Sequence, residues 1–145
     1  MGRELRVVIE QDGEWIAVML WTSACQRLQD RDEWIGWTNA QRAQRLNLIV
    51  QLRRYLLLHE TGTRPNLASE ALAAATRALP ELWRAGFRCE PLLVESFSDI
   101  EAHAGTCYKA AGWKPAGMSK GFAKHRGDYY TFHGRPKRLW LRLLR

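Results

Sequence analysis

The stretch that restricts the fold most is Pro91 to Trp113, PLLVESFSDIEAHAGTCYKAAGW. The apolar run Pro91-Leu92-Leu93-Val94 leads straight into Glu95, and Ser98-Asp99 reads as a polar turn. The spacing therefore predicts a buried strand that delivers a carboxylate to a sheet edge. A short helical segment follows, in which Ala102, Cys107, Ala110 and Ala111 are small and Tyr108 is the one large residue. Gly112 predicts its end, and the aromatic Trp113 opens another extended segment. Strand, acid, short helix with an inward tyrosine, and strand form one crossover unit around which the rest of an α/β domain can be arranged.

The preceding chain supplies further elements. Arg6–Glu10 and Glu14–Trp21 are β-branched and aromatic runs separated by Gln11-Asp12-Gly13, and Asp-Gly is a strong hairpin signal. From Thr22 the pattern turns helical, with Ser23 as N-cap and Cys25 and Leu28 as apolar positions, before an exposed charged stretch, Asp30-Arg31-Asp32-Glu33. Trp34-Ile35-Gly36-Trp37 closes this piece, either packing under a loop or offering a stacking surface to a ligand. Thr38 or Asn39 caps a second predicted helix through Gln51 that buries Ala43, Leu46 and Ile49 or Val50, with Arg42 and Arg45 facing out. Tyr55–Leu58 reads as a central strand. The loop at 59–66 enters a long alanine- and leucine-rich helix, Leu67–Arg84; Pro80 kinks or interrupts it or starts a separate turn, and Gly86 follows as a C-terminal stop. Ala116–Phe122, Tyr129–Phe132 and Lys137–Leu144 are the remaining extended segments.

A length of 145 residues and a hydrophobic content of 46% suit one folded domain, 1–145. No apolar run reaches the roughly 20 residues of a membrane span, and the first residues lack the apolar core of a signal peptide, so a cytoplasmic location is expected. Cys25, Cys89 and Cys107 have no metal-ligand spacing and are expected as buried free thiols; no metal is expected. The net charge of +7 is distributed unevenly. Residues 114–145 hold nine Lys or Arg against the single acid Asp128, a net of +8, so the preceding 113 residues carry −1. Phe122, Tyr129, Tyr130, Phe132 and Trp140 interleave with these bases. The pattern predicts DNA or RNA binding through Lys120, Lys124, Arg126, Arg135, Lys137 and Arg138, against the alternative of a solvated basic face.

Two resemblances enter on particular residues. The order strand, loop, long helix, strand, short helix, strand, with Leu67-Ala68-Ser69-Glu70-Ala71-Leu72 opening the long helix and Tyr108-Lys109-Ala110-Ala111-Gly112-Trp113 closing the short one, resembles the core of GNAT-type acyltransferases. Arg31-Asp32 with Trp34-Ile35-Gly36-Trp37, Pro65-Asn66-Leu67-Ala68-Ser69, Glu95-Ser96-Phe97, and Gly105-Thr106-Cys107-Tyr108 with Ala110, Ala111 and Trp113, resemble the DruA-like domain. That family belongs to the Druantia anti-phage system and also occurs attached to some insertion-sequence transposases. The likeness extends over about residues 15 to 144. It implies an α/β fold with a GNAT-like mixed, mostly antiparallel sheet flanked by helices and truncated at the N-terminus, since members carry a further segment before the hairpin. An uncovered edge along Arg6–Glu10 or Glu14–Trp21 is then expected to be buried in a homodimer or against a partner chain.

The chemistry stays open between two classes. In the first, the domain is a nucleic-acid-binding accessory module of a defence or transposition system. In the second, it is a small GNAT-fold enzyme acting on a metabolite or carrier-bound substrate. There Glu95, following an apolar strand, would be the base, and Tyr108, where GNAT enzymes often place a tyrosine that protonates a leaving thiolate, the acid. Each also has a structural reading, Glu95 as the ion-pair partner of an arginine and Tyr108 as a core residue. Arg64, Asn66, Thr106 and Trp37 are candidate ligand-binding residues of the same cleft. No cofactor is expected; acyl-CoA is possible but disfavoured, because in Gly62-Thr63-Arg64-Pro65-Asn66 the proline removes one phosphate-binding N–H and Asn66 replaces a glycine, although Arg64 could still pair with a phosphate and the helix dipole remains.

Overall fold

A computed structural model describes residues 2–26, 28–58, 66–99, 106–118, 122–125, 129–132 and 137–144. The hairpin forms as expected, with β1 (Glu4–Gln11) and β2 (Glu14–Ser23) joined by Asp12 and Gly13, both at positive φ. Such a two-residue turn matches the natural strand twist. Strand β2 runs on through Thr22 and Ser23, so the helix expected there starts later, as α1 (Gln29–Ile35), and Gly36 ends it in the left-handed conformation. Thr38 caps α2 (Asn39–Arg45) in a reciprocal capping box with Gln41.

The second helix expected through Gln51 stops at Arg45. A single 3-10 turn, Leu46–Leu48, leads into β3 (Ile49–Leu57), which therefore begins six residues before the expected Tyr55. The β-branched Ile49 and Val50 prefer a pleated, buried surface and are both buried here. Helix α3 (Leu67–Phe87) passes through Pro80 and Gly86 alike, and Arg88, at φ 55, ends it instead. Strand β4 (Leu93–Asp99) corrects the expected turn at Ser98-Asp99, because Glu95, Ser96 and Ser98 are buried inside a strand. After α4 (Thr106–Ala110) come β5 (Lys114–Met118), β6 (Phe122–His125), β7 (Tyr129–Phe132) and β8 (Lys137–Leu143).

Six strands form one sheet in the order β1-β2-β3-β4-β8-β5, and β6 and β7 form a separate pair. Only β3 and β4 are parallel within the six-stranded sheet. Alternation along the strands divides the core in two. Helices α3 and α4 cover one face, where Met19, Trp21, Val50, Leu52, Val94 and Trp140 meet Leu72, Leu79, Trp83 and Tyr108. The opposite face carries Ile49, Leu93, Leu139 and Leu141 under Leu28, Ile35, Trp37 and Leu46 of the α1–α2 segment. None of the three cysteines is buried, contrary to expectation: Cys25 is exposed, and Cys89 and Cys107 are half-buried. Among the described residues no helix is long and apolar enough to cross a membrane, and no acid, histidine and cysteine cluster could hold a metal.

Candidate functional site

The parallel pairing of β3 and β4 runs from Ile49/Leu93 to Leu52/Ser96 and goes no further, although β3 continues to Leu57 and β4 to Asp99. The cause lies on the other side of β3. Leu20 faces Arg54 and Trp21 faces Leu52, so Arg53 is an extra residue without a partner on β2. A bulge of this kind bends its strand and leaves local backbone groups unpaired. The two strands thus part at their carboxyl ends, where open α/β sheets bind ligands.

At the vertex of this wedge Ser96 donates to the Leu52 carbonyl (3.0 Å) and lies 2.9 Å from the Tyr108 hydroxyl. A serine has one hydroxyl proton, so with that proton on Leu52 the tyrosine must be the donor to Ser96. Trp140 stacks on Tyr108 at 5.7 Å, and Trp113 meets it edge-on at 5.3 Å. Burial pushes the Tyr108 phenol up to about 12, with the Ser96 bond opposing, so it keeps its proton at neutral pH. Among the described residues the buried indole N–H groups of Trp21 and Trp113 have no acceptor. Asn66 precedes α3 at φ 66 and makes no side-chain cap, which leaves the first N–H groups of that helix without this partner. Thr106 is exposed at the start of α4.

Glu95 lies one residue away and on the other face. Its side chain is wholly buried, and Oε1 accepts from Arg31 Nη1 at 2.8 Å while Oε2 accepts from Gln51 Nε2 at 3.2 Å. Arg31, expected in an exposed charged stretch, is also fully buried. It donates further to the carbonyls of Cys25 (2.7 Å) and Gln26 (3.3 Å) and to Asp32 (3.1 Å). Asp32 in turn accepts from Trp37 Nε1 (2.8 Å) and Arg42 (2.9 Å). Burial raises the Glu95 carboxyl above its ordinary range, partly offset by Arg31. Burial also acts to raise Asp32, but the bonds from Trp37 and Arg42 and the Arg31 charge outweigh it and hold Asp32 low.

The structure therefore does not bring Glu95 and Tyr108 together, since the sheet separates them. Trp37 joins the Glu95 side, with its indole N–H engaged by Asp32, and Tyr108, Asn66 and Thr106 belong to the α3–α4 side. Arg64, Lys120, Arg126 and Arg135 lie outside the described residues. Lys124 is placed by its backbone in β6, opposite Tyr130. Lys137 and Arg138 are exposed at the start of β8. Sequence reasoning missed Ser96, Gln51 and the burial of Arg31. The signals were the adjacency of Ser96 to Glu95 on an apolar strand and the place of Arg31-Asp32 and Glu95-Ser96-Phe97 among the DruA-like motifs.

Comparison with known proteins fits this geometry. A family model described as Druantia protein DruA matches residues 1–136. No curated protein matches the chain. Among solved structures, it is similar to the spermidine N-acetyltransferase of Vibrio cholerae, crystallised with CoA and spermine, at a TM-score of 0.60 and 9% identity, covering 97% of this chain and 66% of that one. It is also similar to the ribosomal-protein-S18-alanine N-acetyltransferase of Escherichia coli, with a TM-score of 0.56, 10% identity and coverage of 98% and 70%. For aminoglycoside acetyltransferase AAC(6')-Ib, in complex with coenzyme A and kanamycin, the TM-score is 0.52 and the identity 16%, covering 94% and 64%. At such identities the likeness is one of fold, and the chain spans about two thirds of those proteins.

Proposed function

We propose, because the chain belongs to the DruA family and has an acetyltransferase-type core, that it serves a defence system as an acyl-transfer domain whose ligand, a coenzyme A thioester, enters the wedge between β3 and β4. The observation that carries this reading is the end of the parallel register at Leu52/Ser96 while both strands run on. The residues fit such a ligand. Beyond the Arg53 bulge, the side of β3 that faced β4 has no strand partner among the described residues, so its N–H and C=O groups suit an extended amide-containing arm. The α3 N-terminus lacks a side-chain cap from Asn66 and favours phosphate through its dipole and first-turn N–H groups.

When bound, the thioester supplies an activated acyl carbon and a thiolate leaving group. Tyr108 is poised to orient the ligand and to release its proton toward the leaving group. Ser96 can then turn its hydroxyl from Leu52 to the phenolate, which stabilises the charge left behind. Glu95 takes no part beyond anchoring the opposite face. Calorimetric titration with coenzyme A and acetyl-CoA tests the reading: both should bind in the micromolar range, and Tyr108→Phe should retain binding while losing acyl transfer or thioester hydrolysis. Absence of heat at about 1 mM ligand, an interaction weaker than about −4 kcal/mol, would overturn it.

A second reading is favoured by the net +8 of residues 114–145, with Lys137 and Arg138 both exposed at the start of β8: the basic segment brings DNA or RNA to this domain of a defence or transposition system. Retardation of DNA or RNA at low salt should weaken, and its salt dependence flatten, when Lys124, Arg126, Lys137 and Arg138 become alanine. No retardation by the unaltered protein would end this reading.

A further inference from the structure

Strand β1 pairs with β2 on one side, and among the described residues no strand lies on its other side. Its inner face is held against the core, with Val7 buried and Leu5 and Ile9 packed beside it. The strand is thus fixed as an eight-residue extended edge without proline, a ready template for another strand. Its outer face carries three charged groups and one apolar group, Glu4, Arg6, Val8 and Glu10 in that order, all exposed.

That order is self-complementary about Val8. If two copies of β1 run antiparallel with Val8 on the two-fold axis, Arg6 of each copy falls opposite Glu10 of the other, Val7 opposite Ile9, and Val8 opposite Val8. Centring on Val7 instead sets Glu4 against Glu10, and centring on Arg6 sets that arginine against its own copy. With Ile9 at the centre, Glu10 faces Val8. Centring on Leu5 sets Glu4 against Arg6 but overlaps the strands only over residues 4–6, whereas the Val8 register gives two oppositely charged pairs while overlapping residues 5–11 and keeping the inner faces of both copies on one side. We propose that β1 is the dimer interface of this protein, in which two copies join their sheets in that register.

The neighbouring strands support the same occupant. Val8 faces Val18, which faces Leu56, so the axis joins two exposed or half-buried apolar rows into one, Leu56–Val18–Val8 and its copy. Glu10 faces Trp15, which is 59% exposed. An Arg6 from the second copy, drawn to Glu10, would lay its aliphatic stem toward that indole. The proposal is independent of the ligand reading, since it involves neither the wedge nor Tyr108.

Light scattering after size exclusion at micromolar concentration tests it. The unaltered chain should have twice the monomer mass. Arg6→Glu and Glu10→Arg each turn both opposed pairs into like-charge pairs, and each should weaken dimerisation by about tenfold or more. The double variant Arg6→Glu/Glu10→Arg should restore it. Both side chains are exposed, so folding should be unaffected, and restoration by the double variant excludes a mere loss of structure. A monomeric mass for the unaltered chain at about 100 µM, or a dimer indifferent to both single swaps, would overturn the proposal.

Discussion

Glu95 and Ser96 are neighbours on β4 and belong to different halves of the molecule. On the α1–α2 side Glu95 is held by a charged network that spans Cys25, Arg31, Asp32, Trp37, Arg42 and Gln51. On the α3–α4 side Ser96 and Tyr108 form a neutral pair at the vertex of an open wedge. Buried charges with every partner in place resist change, because moving any one of them strands another. A neutral hydroxyl pair can exchange partners at little cost. The contrast suits one face to anchoring and the other to the ligand handling proposed above.

The largest test of that contrast is Arg31→Met. It leaves Glu95 buried without its cation, and the expected loss is about 3–5 kcal/mol of stability, read as a melting temperature lower by roughly 10 °C or more. Adding Glu95→Leu should recover most of the loss, since an apolar pair of similar volume replaces the ions. A single variant that melts within about 1 kcal/mol of the unaltered protein would erase the distinction between the faces. Tyr108→Phe should be milder, costing about 1 kcal/mol in denaturant unfolding, because Ser96 keeps its bond to Leu52. A loss as large as that of Arg31→Met would make Tyr108 an anchor too.

The smallest expected effect is one of sign. Glu95 has a raised carboxyl in the folded state, so its contribution is present below its unfolded value of about 4.3 and is lost as pH rises through the folded value. Asp32 is lowered, so its contribution is present above about 3.9 and is lost as pH falls through the folded value. Stability measured from pH 3 to 7 should therefore show Glu95→Gln gaining on the unaltered protein as pH rises and Asp32→Asn gaining as pH falls. Parallel curves for the two variants would mean that the network does not divide its charge in this way.

Sequence made the local devices legible and hid the distant ones. Asp12-Gly13 announced the hairpin, Thr38 or Asn39 the helix cap and the alanine-rich run α3, because each depends on residues within a turn or two of one another. Ser98 reads as the start of a polar turn and Glu95 as the end of a strand, since the partners of Glu95, Ser96 and Ser98, namely Arg31, Tyr108 and Trp140, are brought to them only by the folded sheet. Arg31 looked exposed among acids for the same reason. The start of β3 was obscured because Leu46, Ile49 and Val50 satisfy helical spacing as well as an extended run, and pairing with β2 decides the matter. The candidate acid and base seemed one cleft because strand alternation at Glu95 and Ser96 was not read as a division between faces.

The position of β8 has a consequence for how the chain assembles. Although it follows every other strand in sequence, it lies between β4 and β5, and Leu139, Trp140 and Leu141 complete both halves of the core. As the protein leaves the ribosome, β4 must wait with one edge unpaired until Lys137–Leu143 has emerged. Pairings that join such distant segments make folding slow and leave intermediates open to aggregation. The interval between the emergence of β4 and that of β8 is therefore when this fold is most open to misassembly.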